Sequence, residues 1–435
     1  MTPRIFGNLK WLYPGMRVKR WLLFIPIGVL LAMAGILLLA NISMLGILET
    51  AATWTFLNFG IRLDDPATQL ITGTILILLG GFCVTLAVNR LVGSIAESIA
   101  PKQTKKELVD VVYKQRFLSQ GKRVVVIGGG TGLSTMLRGL KRYTSNITAI
   151  VTVTDNGGSS GRLHEEMGMI PPGDIRNCIV ALSDSEDLMT DLLRYRFKDE
   201  IKGIEGHSFG NLLIAVMTKI SGDFETAVRE AGKILAIRGQ VLPSTTESVD
   251  LVAEMEDGSK IRGETQITES PLKIKRIFLS NPDAEPLPEA LEAIKEADCV
   301  ILGPGSVFTS IIPNLTVRGI TEALEETDAL TVYICNVMTQ RGETDGFRAS
   351  DHIRAVTRNS SKDVFTHVLV NTTKPGEELL KRYEKTGQQF VVPDVMRVRG
   401  MGYKPVTGSF INESNVVRHD CNRLAYTIFK LLQDR

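Results

Sequence analysis

The segment "RVVVIGGGTGLSTMLRGLKRY", residues 123–143, decides how the rest of the chain is read. Val124, Val125, Val126 and Ile127 form a short run that is apolar on both faces, as in a buried parallel strand. Glycines at 128, 129 and 130 permit a sharp turn, and Leu133, Met136, Leu137 and Leu140 then recur at helical spacing. Strand, glycine turn and helix make the opening of a parallel α/β unit. A helix that starts directly after a strand offers unpaired N–H groups and a positive dipole end, where a phosphate can sit. The spacing still fails the dinucleotide fingerprint: counted from Gly128 or Gly130, its last position is Leu133 or Thr135. The Gly-Lys-Ser/Thr ending of a P-loop is missing too, and a tight turn holding no ligand would read the same way.

Outward from this segment the alternation continues. "ITAIVTVTD" (147–155) is a second strand, "IPPGDIRNCIVALSD" a loop feeding a short helix, and "GHSFGNLLIAVMTKI" the start of another. Between 240 and 280 the rhythm changes. "VDLVAEMEDGSKIRGETQI" alternates with a period near two around Asp257-Gly258, a hairpin signal, so an antiparallel insertion is expected there. "LPEALEAIKEADCVILGPGSVFTSIIPNL" returns to helix, strand, glycine turn and helix, and "ALTVYICN" and "FTHVLVN" are further strands. The expected fold from 123 to 435 is an open, mostly parallel α/β sheet.

The chain has 435 residues and a formal net charge of +2, so no basic field points to nucleic acid. Its five cysteines are odd in number and far apart, which suits free thiols in a reducing compartment. Residues 21–48 and 66–89 contain no charged side chain, and each run exceeds the roughly 20 residues that cross a bilayer as a helix. Lys10, Arg17, Lys19 and Arg20 precede the first run; Arg90, Lys102, Lys105 and Lys106 follow the second. Between the runs stand Glu49, Asp64 and Asp65 against Arg62. The positive-inside rule therefore puts both ends in the cytoplasm, with residues 1–90 as a hairpin in the cytoplasmic membrane. Residues 91–122 read as a polar linker, whose basic stretch can touch anionic lipid.

Several loops carry candidate chemistry. "VTVTDNGGSSGRL" (151–163) ends a strand on Asp155 and continues as a loop of glycines and serines rich in main-chain donors. "PPGDIRN" puts Asp174 at an expected N-cap with Asn177 one turn on, and "GHSFGN" puts Ser208 at an N-cap with Asn211 in the first turn beside His207. "LGPGSVFTS" brings Gly303, Gly305, Ser306 and Thr309 after a buried strand. In an open parallel sheet such strand-end loops gather on one edge, where ligands bind. Asp155 and Asp174 could share a magnesium ion with a diphosphate. The histidines are scattered without metal-binding spacing, and no nucleophile elbow is present.

Taken together, "GGGTGLS", "VTVTDNGGSSGRL", "PPGDIRN", "GHSFGN" and "LGPGSVFTSIIPNL" resemble the bacterial gluconeogenesis factors, which belong with the 2-phospho-L-lactate transferases. The resemblance runs from about Arg123 to Leu432. It implies a Rossmann-like core, a homodimer, and a pocket for a UDP-sugar, with a role in cell shape and envelope synthesis during gluconeogenic growth. It carries Gly129, Gly130 and Thr131 into that pocket, with Asp155, Asn156, Gly157, Gly158 and Ser159. Asp174, Asn177 and Asn211 would line it, and Gly305 and Ser306 would close the phosphate side. Two positions depart from the family pattern: Asn156 stands where a second acid is common, and His164 where a basic residue is usual.

The expectation is thus a membrane-tethered nucleotide-sugar-binding protein. One alternative is a transferase that moves a phospholactyl-type group from a nucleoside diphosphate carrier, with Asp155 and Asp174 around magnesium. Another, a nicotinamide dehydrogenase, suffers from the failed fingerprint.

Overall fold

A computed structural model describes residues 19–40, 53–58, 65–99, 116–184, 186–198, 203–360, 363–413 and 416–435. The chain divides into two compact units, Met1–Lys114 and Gln115–Arg435.

In the first unit, helices Lys19–Leu39 and Pro66–Ile99 pack side by side. Glycines set the spacing. A Cβ on Gly28 would lie 2.8 Å from the Gly80 carbonyl oxygen, and one on Gly35 would lie 2.6 Å from that of Gly73. Small residues at such a seam let two backbones approach closely in a membrane. Trp21–Leu39 and Pro66–Ser94 have mean hydropathies of 2.8 and 2.3 and are long enough to cross a bilayer. Residues 41–48 of the expected first helix lie outside the described residues. The second helix runs to Ile99, past the expected end at 89, so the expected linker begins inside it. "RLVGSIAESI" keeps helical apolar spacing across that boundary, and the charge of Arg90 does not interrupt it.

The second unit is built on seven parallel strands, in sheet order Lys404–Gly408, His367–Asn371, Leu330–Ile334, Cys299–Leu302, Val124–Gly128, Ile147–Val151 and Gln240–Pro243. In chain order they are β1 (Val124–Gly128), β2 (Ile147–Val151), β3 (Gln240–Pro243), β7 (Cys299–Leu302), β8 (Leu330–Ile334), β9 (His367–Asn371) and β10 (Lys404–Gly408). β1, β7 and β8 are buried along their whole length, as their continuous apolar runs require when helices cover both faces. β1 to β3 extend to one side and β7 to β10 to the other. The direction of winding reverses between β1 and β7, and the crevice at such a reversal is where open α/β sheets bind ligands.

A separate antiparallel sheet follows β3: β4 (Leu251–Met255), β5 (Lys260–Arg262) and β6 (Ile274–Leu279), with β4 in the centre. Its β4–β5 turn falls at Asp257-Gly258, where Gly258 has φ +87°. The insertion begins at 251, not 240, because Gln240–Pro243 pairs in parallel with β2 as the edge strand of the main sheet. β11 (Ile411–Glu413) and β12 (Val417–His419) form a small hairpin near the C-terminus.

Candidate functional site

The loop after β1 is glycine for reasons of space. A Cβ on Gly129 would fall 2.6 Å from Oδ2 of Asp174 and the same distance from the Thr152 methyl. One on Gly132 would fall 2.3 Å from the Pro304 carbonyl oxygen, so the loops after β1 and β7 meet backbone to backbone. Gly130 starts the helix Gly130–Leu140 at φ +66°, and Thr131 is exposed. The first amides of that helix have no intrahelical carbonyl to bond.

The segment after β2 is shorter than its sequence suggests. A helix, Gly158–Met167, begins inside the expected "NGGSSG" loop, with Gly157 as its cap. The Gly157 amide donates to Oδ1 of Asp155 at 3.0 Å. Gly158 is exposed at φ +48°, a left-handed conformation that favours glycine. Ser159 and Ser160 are buried, so they are small to allow packing. The Ser159 hydroxyl lies 2.9 Å from Nδ1 of His207 and accepts Nδ2–H of Asn211 at 3.0 Å.

Asp174 is not the N-cap. Pro172 holds that place, and Asp174 falls in the first turn of Gly173–Leu182, because the helix begins two residues earlier than a cap at Asp174 implies. There its carboxylate accepts from the Gly130 amide and the Asn177 side chain. Burial and the neighbouring Asp155 carboxylate push its pKa up to about 7. Ser208 does cap its helix, accepting the Asn211 amide at 3.3 Å.

Behind these loops lies a polar network. Arg176 donates to Ser208 Oγ at 2.6 Å, to Asn211 Oδ1 at 3.0 Å and to Asn177 Oδ1 at 3.0 Å. Ser159, Asn177 and Asn211 therefore brace the loops from within. Asn156 turns outward to the insertion. Its Oδ1 accepts the Thr265 amide at 3.1 Å and the Thr265 hydroxyl at 3.3 Å. His164 sits 3.8 Å from Asp250, at the base of the same insertion.

On the β7 side, Gly305 lies against the Ser310 side chain, and Ser306 accepts the Thr309 amide at 3.2 Å while donating its hydroxyl to Glu343. Glu343 and Glu264 are two acids that sequence reasoning missed. Burial raises Glu343 to about 7, and burial together with Asp155, Asp174 and Glu343 raises Glu264 to about 9. Glu343 has a signal in the sequence, since it follows the β8 strand in the glycine-containing stretch "TQRGETDGF". Glu264 has none: it stands in the insertion, 109 residues beyond Asp155. Among the described residues no three His, Cys, Asp or Glu side chains are grouped to hold a metal ion. Beside Glu343 and Phe308 a cleft of about 1230 Å³ opens between β6 and the helix Ala349–Ser360. That cleft is lined by none of Gly129, Asp155, Asp174 or Gly305, so it lies to one side of the strand-end loops.

Residues 124–411 match the family pattern of the 2-phospho-L-lactate transferase CofD. A putative gluconeogenesis factor from Nostoc sp. is 44% identical over 433 residues, covering 98% of this chain and 93% of its own. The chain belongs to the gluconeogenesis factor family. The gluconeogenesis factor of Bacillus subtilis is 45% identical and is covered in full, yet it matches only 73% of this chain. Gluconeogenesis factors thus align here at two lengths. Those from Nostoc sp. and Clostridium acetobutylicum align with 98% of this chain, so the shared region includes most of the apolar hairpin, beyond the 123–432 span that the motifs cover. A crystal structure from Bacillus halodurans, described as a member of the UPF0052 family, superposes with a TM-score of 0.68 at 46% identity. It covers 71% of this chain and 99% of its own.

Proposed function

We propose that this gluconeogenesis factor binds a UDP-type nucleotide sugar at the β1–β7 reversal, and acts in envelope and cell-shape control during gluconeogenic growth. The supporting observation is that the glycine turns after β1 and β7 touch at Gly132 and Pro304, beside the carboxyls of Asp155 and Asp174. In this reading the helix amides at Thr131 and Gly158 face the diphosphate, and carboxyl groups take ligand hydroxyls. The protein acts as a homodimer, with no nucleic acid partner.

A transferase is the second reading, favoured by the family pattern and by the electrostatic coupling of Asp155 to Asp174. Magnesium typically binds through one or two carboxylates plus substrate phosphates, and these two residues fit that donor set. The ion would then stabilise charge on a transferring group. Asp155→Asn separates the two. For a binder, affinity for a UDP-sugar should fall several-fold and be the same with and without a chelator. Magnesium-dependent product formation from a phospholactyl nucleoside diphosphate, lost in Asp155→Asn, would establish the transferase instead.

In this proposal the apolar helices anchor the chain in the cytoplasmic membrane and residues 115–435 are cytoplasmic. A reporter fused after Arg435 should be cytoplasmic and one inserted near Asp64 external. An external C-terminal reporter would contradict the hairpin.

A further inference from the structure

The antiparallel insertion returns to the strand-end site at a single acid. Gly263, at φ +95°, turns the chain after β5 so that the helix Glu264–Glu269 begins there. Two flanks of the site fix this start. Asn156, from the β2 side, holds the amide and hydroxyl of Thr265. Thr309, from the β7 side, donates to the Glu264 carboxyl. The charged groups that act on Glu264 are the carboxyls of Asp155, Asp174 and Glu343. With burial, they hold it at about 9, so it carries a proton at neutral pH. A neutral carboxyl offers one O–H donor and one carbonyl acceptor, the same pair that a sugar hydroxyl presents. It also avoids repelling a nearby diphosphate.

We propose that Glu264 is the specificity-determining residue of this site: its carboxyl hydrogen-bonds hydroxyls of the glycosyl group, so that a nucleoside diphosphate sugar binds more tightly than the bare diphosphate. This rests on the reading of the site as a nucleotide-sugar pocket. A ligand lacking the hydroxyls leaves the Glu264 O–H without its glycosyl partner, which is the basis of the discrimination. Thr309 is a positioning residue, acting through Glu264.

The test is calorimetry of the full chain in nanodiscs at pH 7 with UDP-glucose, UDP-N-acetylglucosamine and UDP. The parent should prefer at least one sugar to UDP by about tenfold or more. Glu264→Ala should bring that ratio to within about twofold, with the loss falling mainly on the sugar ligands. Glu264→Gln keeps the donor and acceptor of the neutral acid and should retain most of the ratio. Hydrogen exchange checks that each variant is folded; should Glu264→Ala not fold, Thr309→Val should lower the ratio by about threefold through the lost hydrogen bond. An unchanged ratio in a folded Glu264→Ala or Thr309→Val chain, or an equal loss for sugar and UDP, overturns the role of Glu264 alone. A parent chain that binds none of the three ligands overturns the nucleotide-sugar reading and this role with it.

Discussion

At pH 9 the Glu264→Gln chain should be more stable than the parent by about 2–4 kcal/mol, and the margin should shrink toward zero near pH 5. The unfolded chain holds Glu264 at its ordinary value of 4.5, whereas burial and three neighbouring acids hold it at about 9 in the fold. Between those values the folded state binds more protons than the unfolded one, so stability falls as pH rises through the window. Asp174 and Glu343, each raised to about 7, add the same trend over the lower part of it. Glutamine keeps the shape without the ionisation. The measurement is hydrogen exchange of the β1, β7 and β8 amides, under conditions where exchange reports global opening. A parent chain that gains stability from pH 5 to pH 9, with no advantage for the variant at the upper end, would mean that Glu264 is solvated.

The second large effect is expected at Gly158. Gly158→Val should lower nucleotide-sugar affinity at least about tenfold, or roughly 1.4 kcal/mol, with the fold retained. Gly158 adopts φ +48°, which costs a residue with a Cβ about 1–2 kcal/mol and a β-branched one more. Beyond its own turn of chain, nothing lies within 4 Å of where that Cβ would be, so the substitution meets no clash with the rest of the fold. The loss would come from a shifted helix start and from bulk in the space where a ligand approaches the amides of 158–160. Unchanged affinity in a folded variant would make this turn purely structural.

Much of this arrangement was legible in the sequence, and the exceptions have physical causes. β1, β7 and β8 are unmistakable because central parallel strands must be apolar on both faces. The two edge strands were harder. β3 ends on Pro243 and β10 contains Pro405, and a proline is tolerated at an edge while weakening the strand signal. For that reason 240–243 reads as part of the insertion and β10 gives no clear strand signal. Glycine and serine at 157–161 read as a loop because both are poor helix formers. Here they start a helix, where the cap needs no side chain and Gly161 needs none either: its Cβ would lie 2.0 Å from the Asn156 carbonyl oxygen. Asp155 and Ser306 could be found from strand-end position alone, and Asp174 from the "PPGDIRN" loop that opens its helix, which is all local information. Glu264 could not, since only the tertiary docking of the insertion brings it to Thr309 and the other acids.

The central claim, a nucleotide-sugar pocket at the β1–β7 reversal, is tested most directly by calorimetry of the full chain with a chelator present, against UDP-sugars, GDP-sugars and nicotinamide dinucleotides. The expected result is one saturable site for a UDP-sugar and none for the nicotinamide dinucleotides. Binding of a nicotinamide dinucleotide, or of no nucleotide sugar at any concentration reached, would contradict it.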